Sequence, residues 1–296
     1  SGGNHTFNVT ARPLTFSSSR NYDGTTTANT SGLTYTFSNL VVGESLILSG
    51  SGTVVSKDVS AGTQNITLGT IALGDNTGVA SNYSLTSGTM DITQAQVNLS
   101  GTKVYDSNTT LNNSIVNVAS GLIGSETLGL TGDVVTNTAN VGTYLASAGQ
   151  LNVGSTTIAL ADGTNGGLAN NYTINEGTFT ITQRPVTISG TKVYDGAQTV
   201  SAANITTFNN TAGGQTLTVS GNTSFLESQS VGSGKTINVS GLTLGNGTGV
   251  ASNYSLSSGT FNVTARPVTL TTSRLFDNTK NVCLLYTSDA ADDRSC

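Results

Sequence analysis

The phrase GTKVYDG, residues 190–196, sets an ammonium, a phenol, a carboxylate and a glycine within seven residues. Such groups can donate, accept or hold protons. The phrase returns as GTKVYDS at 101–107, as SRNYDG at 19–24 and as SRLFDN at 273–278. Its rings, Tyr22, Tyr105, Tyr194 and Phe276, are separated by 83, 89 and 82 residues. An enzyme needs its site once, whereas a structural module needs its corner in every copy. The ring is therefore expected to bury its area while its hydroxyl ties down a nearby backbone group. The carboxylates Asp23, Asp106, Asp195 and Asp277 would accept turn amides, and Gly24 and Gly196 would take positive φ. Phe276 favours this reading, because packing survives loss of the hydroxyl and phenol catalysis does not. The alternative is a ligand-binding role shared by every copy.

No other constellation supplies a catalytic set. His5 is the only histidine, which leaves no histidine-based triad and no HExxH helix. Glu44, Glu126 and Glu176 show no pairing of the kind glycoside hydrolysis uses. The loops GDNTG (74–78), ADGTNGG (161–167) and GNGTG (245–249) carry one acid or none, too few for calcium. Lys103 and Lys192 could form isopeptides with Asn or Asp, but Arg20 and Arg274 stand in comparable places. Asn-x-Ser/Thr sequons such as Asn65 and Asn204 follow from composition and are weak evidence for glycans. No catalytic, metal-ligating or cofactor-binding residue is assigned, no cofactor is expected, and an enzyme is not.

The elements that position these phrases must be extended. Charged residues are 9% of the chain, aromatics 6%, and there are three prolines and no Trp. Abundant Thr, Val and Ile favour strands over disorder. A net charge of −5 without a basic run excludes electrostatic nucleic-acid binding. No apolar stretch approaches the roughly 18 residues of a membrane span. No signal peptide opens the chain, but it begins within the repeat pattern, so export stays open. Cys283 and Cys296 bound a tail, CLLYTSDAADDRSC, that shares nothing with the repeats and resembles a translated sequencing adapter.

Two further anchors keep the period. Asn-Tyr precedes Tyr83, Tyr172 and Tyr254 in SNYSL, NNYTI and SNYSL, each 22 residues before the next Tyr/Phe-Asp. A mid-repeat anchor reads VGESLILSG (42–50), GSETLGLTG (124–132) and GGQTLTVSG (213–221). The second copy carries seven extra residues between Glu126 and Asn171, expected in a loop or hairpin. Alternation of period two, as in TFTIT, predicts six or seven strands per copy and no helix. The expected parts are 1–11 (last strand of a preceding copy), 12–94, 95–183 and 184–265 (three repeats), 266–282 (a truncated copy) and 283–296 (a non-native tail). The predicted fold is all-β, a tandem array of small antiparallel β-sandwich (Ig-like) modules joined end to end. A β-solenoid or β-grasp-like modules are the alternatives, the first expecting a 20–30-residue period and the second a helix. Arg-Pro at the joints, replaced once by Gln96, predicts stiff connections. The six anchor tyrosines are expected to be buried, with Phe7, Met90, Phe179 and Phe261 beside them.

These three anchors, with the joint TFNVTARPVTL (260–270), resemble the tandem YDG-type repeats of bacterial surface adhesins, the filamentous-haemagglutinin-like exoproteins of two-partner secretion. The likeness spans residues 1–282, departing at Ser107, Gln96 and LFDN. It implies a non-enzymatic stalk or adhesive segment, secreted or held at the bacterial cell surface, and transfers no catalytic residue. Its partners would be neighbouring repeats and a host-surface protein or glycan. A multivalent carbohydrate-binding array is the alternative, and it expects exposed aromatics on one face. The Asn-Tyr phrases resemble the tyrosine corner of sandwich folds.

Overall fold

The computed structural model describes residues 3, 5–146, 157–271, 273, 275–276 and 278. Asp277, both cysteines and the tail 283–296 lie outside the described residues. The first repeat contains β1 (Arg12–Asn21), β2 (Thr27–Asn29), β3 (Thr34–Ser38), β4 (Leu46–Ser49), β5 (Ser51–Thr53), β6 (Gln64–Asn65), β7 (Ala72–Asp75) and β8 (Tyr83–Thr93). The second contains β9 (Ala95–Val104), β10 (Thr110–Asn112), β11 (Val116–Ser120), β12 (Leu128–Thr131), β13 (Asp133–Val135), β14 (Gly142–Leu145), β15 (Ala159–Asp162) and β16 (Tyr172–Thr182). In the third are β17 (Arg184–Val193), β18 (Thr199–Ser201), β19 (Ile205–Asn209), β20 (Leu217–Ser224), β21 (Gly232–Thr236), β22 (Leu242–Asn246) and β23 (Tyr254–Thr264). Only short 3-10 turns interrupt these strands among the described residues, so the chain is all-β. The seven extra residues of the second copy fall between Glu126 and Asn171, a span that includes residues 147–156 outside the description.

Each repeat builds one four-stranded sheet, in the orders β3-β1-β8-β6, β11-β9-β16-β14 and β19-β17-β23-β21. Its remaining strands form shorter ladders, β2-β5 with β4-β7, β10-β13 with β12-β15, and the three-stranded β18-β20-β22. The expectation of purely antiparallel sheets is corrected at the sheet centre. β1 pairs with β8, and β9 with β16, in parallel, with register shifts at Leu14/Thr15 and Ile174/Glu176. The strand that enters a repeat and the strand that leaves it thus lie side by side and point the same way. Parallel neighbours need a long crossover, and the intervening short strands supply it.

Alternation decides which side chains meet. On β1, Leu14, Phe16 and Ser18 turn inward; on β8, Met90 and Ile92 do so. Phe16, Met90 and Ile92 join Ala28 of β2 and Leu48 of β4 in one buried cluster, so the large sheet packs against the short ladders. By compactness the chain falls into two units. One comprises Ser1–Thr187, Phe208–Thr218 and Leu244–Ser257, the other Ile188–Thr207, Val219–Thr243 and Ser258–Cys296. The second unit buries Ile188, Val200, Phe225, Ile237 and Phe261, the two rings meeting edge-to-face with centroids 6.3 Å apart.

The glycine that closes each mid-repeat anchor is a backbone requirement. Gly50, Gly132 and Gly221 have φ of +88°, +74° and +99°, and a Cβ there would lie 2.2–2.4 Å from a facing carbonyl oxygen. That is left-handed backbone against a neighbouring chain, which only glycine tolerates. Gly50→Ala is therefore expected to lower stability by about 1–3 kcal/mol. Gly32→Ala, with open space around its site, should be near neutral. Denaturant midpoints of the two variants check the contrast.

Candidate functional site

The repeated phrase forms a closed corner at the end of the repeat's first strand. Asp23 Oδ1 accepts from the Thr25 amide at 2.9 Å, Asp106 from Asn108 and Asp195 from Ala197, each two residues on. Gly24, Ser107 and Gly196 follow at φ of +77°, +66° and +80°. Positive φ at all three shows why Ser107 stands as an exception to glycine and not to the turn. The cation three residues before each Asp folds back over the turn. Lys192 Nζ lies 2.9 Å from Asp195 and donates to the carbonyls of Ala197 and Thr199. Lys103 does the same with Asp106, Asn108 and Thr110, and Arg20 with Asp23 and Thr25. Lys192 also holds the Asp195 carboxyl below its ordinary range, together with the Ala197 amide.

The Asn-Tyr phrase forms the second corner. A 3-10 turn ends at Asn82, Asn171 or Asn253, and the next residue opens the repeat's last strand. Each Tyr hydroxyl then accepts from the residue just before the mid-repeat anchor, from Val41 N–H for Tyr83, Ile123 for Tyr172 and Ala212 for Tyr254. The same hydroxyls donate to Glu44, Glu126 and Gln215 at 2.5–2.6 Å.

Consecutive repeats bring the two corners together. Tyr22, from the first repeat, stacks edge-to-face on Tyr172 of the second, centroids 5.5 Å apart. Between the hydroxyls lies Glu126, accepting from Tyr22 at Oε1 (2.7 Å) and from Tyr172 at Oε2 (2.6 Å). Lys57 of the first repeat adds a third bond at 3.1 Å. Beside this, the Asn171 amide donates to Asp58 and its oxygen accepts from Val59 N–H. The second joint repeats the plan with neutral groups. Tyr105 and Tyr254 meet with centroids 5.3 Å apart, and Gln215 Nε2 donates to the Tyr105 hydroxyl at 3.1 Å. Asn253 bridges Asn140 and Val141 as Asn171 bridges Asp58 and Val59. The single residues linking the strands, Gln94 and Gln183, donate to Tyr172 O and Ser252 O respectively.

Burial and bonding set the charges. Burial alone would raise the Glu126 pKa, but bonds from Tyr172, Tyr22 and Lys57 outweigh it and hold the carboxyl below its ordinary value. Burial, then the facing carboxylate, pushes Tyr172 up to about 12 and raises Tyr22. A carboxylate held ionised between protonated phenols is a fixed acceptor, and its chemistry is adhesion between repeats.

Tyr22, Tyr105, Tyr83, Tyr172 and Tyr254 are buried, as are Met90, Phe179 and Phe261. Two placements differ from expectation: Tyr194 is 40% exposed and Phe7 is 90% exposed; Phe276 is 90% exposed as well. Met90, Phe179 and Phe261 lie on strands inside a sheet, while residues 5–11 and 265–271 form no strand. The amide of Tyr194 bonds Thr264 O, but no Asn-Tyr corner covers its ring among the described residues. The roles of Glu126, Gln215, Lys57, Asn171 and Asn253 escaped the sequence reading. The recurring Glu or Gln of the mid-repeat anchor was the signal available.

Residues 8–90 and 178–261, more than half of the chain, match the YDG domain family. No curated protein matches the chain. The first matched span opens just before β1 and the second opens within β16, the last strand of the second repeat.

Tyr22→Ala is expected to cost about 3–5 kcal/mol, and Tyr22→Phe about 1.5–3 kcal/mol because a bond to a buried carboxylate is lost. Equilibrium unfolding measures both. A second expectation concerns acid. Since Glu126 is depressed in the folded state, the unfolded chain binds its proton first as pH falls. The stability it contributes is complete above the ordinary value of 4.5 and is lost as pH drops below it. Glu126→Gln should flatten that limb in unfolding experiments between about pH 5 and 2, following the neutral joint at Gln215.

Proposed function

Because the chain belongs to the YDG domain family and ties its repeats through shared buried tyrosines, we propose that it is a non-enzymatic stalk segment of a bacterial surface or secreted adhesin. The observation that carries this reading is the repeated joint. Two clusters, one around Tyr22 and Tyr172 and one around Tyr105 and Tyr254, each draw residues from two consecutive repeats. Orientation between neighbours is then set by a core, with one linking residue on the strand path, Gln94 or Gln183. A stalk needs such joints in every copy. Each repeat is read as a sandwich of its four-stranded sheet on its short ladders, the array being tandem. The YDG phrase is the part of each repeat that docks the next one. Burial of five anchor rings removes them as sugar-stacking surfaces, which favours the stalk over a glycan-binding array.

Distances between nitroxides at Thr36 and Ala119, in a Cys283→Ser, Cys296→Ser background, test the joint. A narrow distribution is expected, broadening when Tyr22→Ala is added. Broad distributions in both would remove the mechanical basis of the stalk. Avid binding of the full chain to a glycan array would move the reading to the carbohydrate-binding alternative.

A further inference from the structure

Each internal joint has two faces, and among the described residues each face recurs once more with no second repeat packed on it. The forward face carries the YDG tyrosine with a valine from the turn before the edge strand (β6, β14 or β21) that pairs with its repeat's last strand. In the joints these are Tyr22 with Val59 and Tyr105 with Val141, the tyrosines 2% and 4% exposed and the valines packed into the joint clusters. In the third repeat they are Tyr194, 40% exposed, and Val231, also exposed. The receiving face carries the Asn-Tyr pair and the residue whose amide binds the tyrosine hydroxyl. Asn171 and Asn253 are buried, Ala212 is buried, and Ile123 packs against the Tyr22 cluster. In the first repeat the equivalents Asn82 and Val41 are exposed, although Tyr83 already donates to Glu44 as Tyr172 does to Glu126.

The internal joints show what such faces accept. Ile123 lies where a Cβ on Gly24 would come within 3.0 Å, so the receiving face packs directly on the YDG turn. Gly196 offers the same turn at φ +80° with nothing within 4 Å. We propose that these are complementary docking surfaces, and that the Tyr194 face of one copy of this chain seats on the Asn82–Tyr83 face of a second copy. Tyr194 then bonds Glu44 as Tyr22 bonds Glu126, and Asn82 reaches the turn before Val231. The two faces differ, so the contact is heterologous and adds copies head to tail without closing a pair. The inference stands on the joint geometry and holds or fails independently of the stalk reading.

Without a covalent link the contact loses its effective concentration, so association belongs near the millimolar range. Sedimentation of the full chain from micromolar to about 1 mM should show open-ended growth beyond dimers. Val231→Arg blocks one face and Val41→Arg the other; both side chains are exposed, so folding is retained, which circular dichroism verifies. Each variant alone should stay monomeric to at least tenfold higher concentration than the parent begins to associate. Their equimolar mixture should form dimers and stop there, since each supplies one intact face. A parent that stays monomeric at about 1 mM overturns the proposal. So does growth that survives both substitutions, or a mixture no more associated than its parts.

Discussion

The buried bridge at Glu126 constrains the rest of this structure. A carboxylate at that depth is tolerated only with its acceptor sites filled, and the three donors come from two repeats: Tyr172 from its own, Tyr22 and Lys57 from the one before. Neither repeat can satisfy the group fully alone. The joint is therefore an extension of the folding core, with the energetics of a buried polar network whose members must all be present. Gln215 shows that charge is not essential to the plan. An amide serves both hydroxyls by accepting from Tyr254 and donating to Tyr105.

That sharing explains where the compact units divide. Phe208–Thr218 and Leu244–Ser257 belong to the third repeat in sequence, yet they fall in the first unit. They carry Ala212, Gln215, Asn253 and Tyr254, all engaged with the Tyr105 joint. Cohesion in this chain follows the joints as strongly as it follows the repeat. In a solenoid-like array, stability is a sum of repeat and neighbour terms, and here the neighbour term includes an aromatic pair, a polar bridge and an asparagine lock.

The low charge of the chain is compatible with this design, in which three of its eleven cations are spent on the YDG turns. Lys103, Lys192 and Arg20 each collect two backbone carbonyls and an aspartate, holding the YDG corner shut so that the ring behind it points to the next repeat. The turn and the ring thus form one device. A serine in place of the glycine keeps the corner, as Ser107 shows at φ +66°.

Much of this was legible in the residues. Period-two alternation in TFTIT determined an all-β chain, and positive-φ glycines were readable from Asp-Gly in the YDG phrase. The three anchors fixed the repeat, because local turn chemistry must recur wherever the same corner recurs. Direction and partnership were not legible. Alternation says which face of β1 is buried but not that β8 runs parallel beside it, since a strand's pattern is the same for either neighbour. Likewise Glu126, Asn171 and Lys57 are ordinary polar residues until two repeats meet. Their burial is a property of the joint, and the exposure of Tyr194 beside the burial of Tyr22 shows that identical local sequence acquires its environment only from what packs against it.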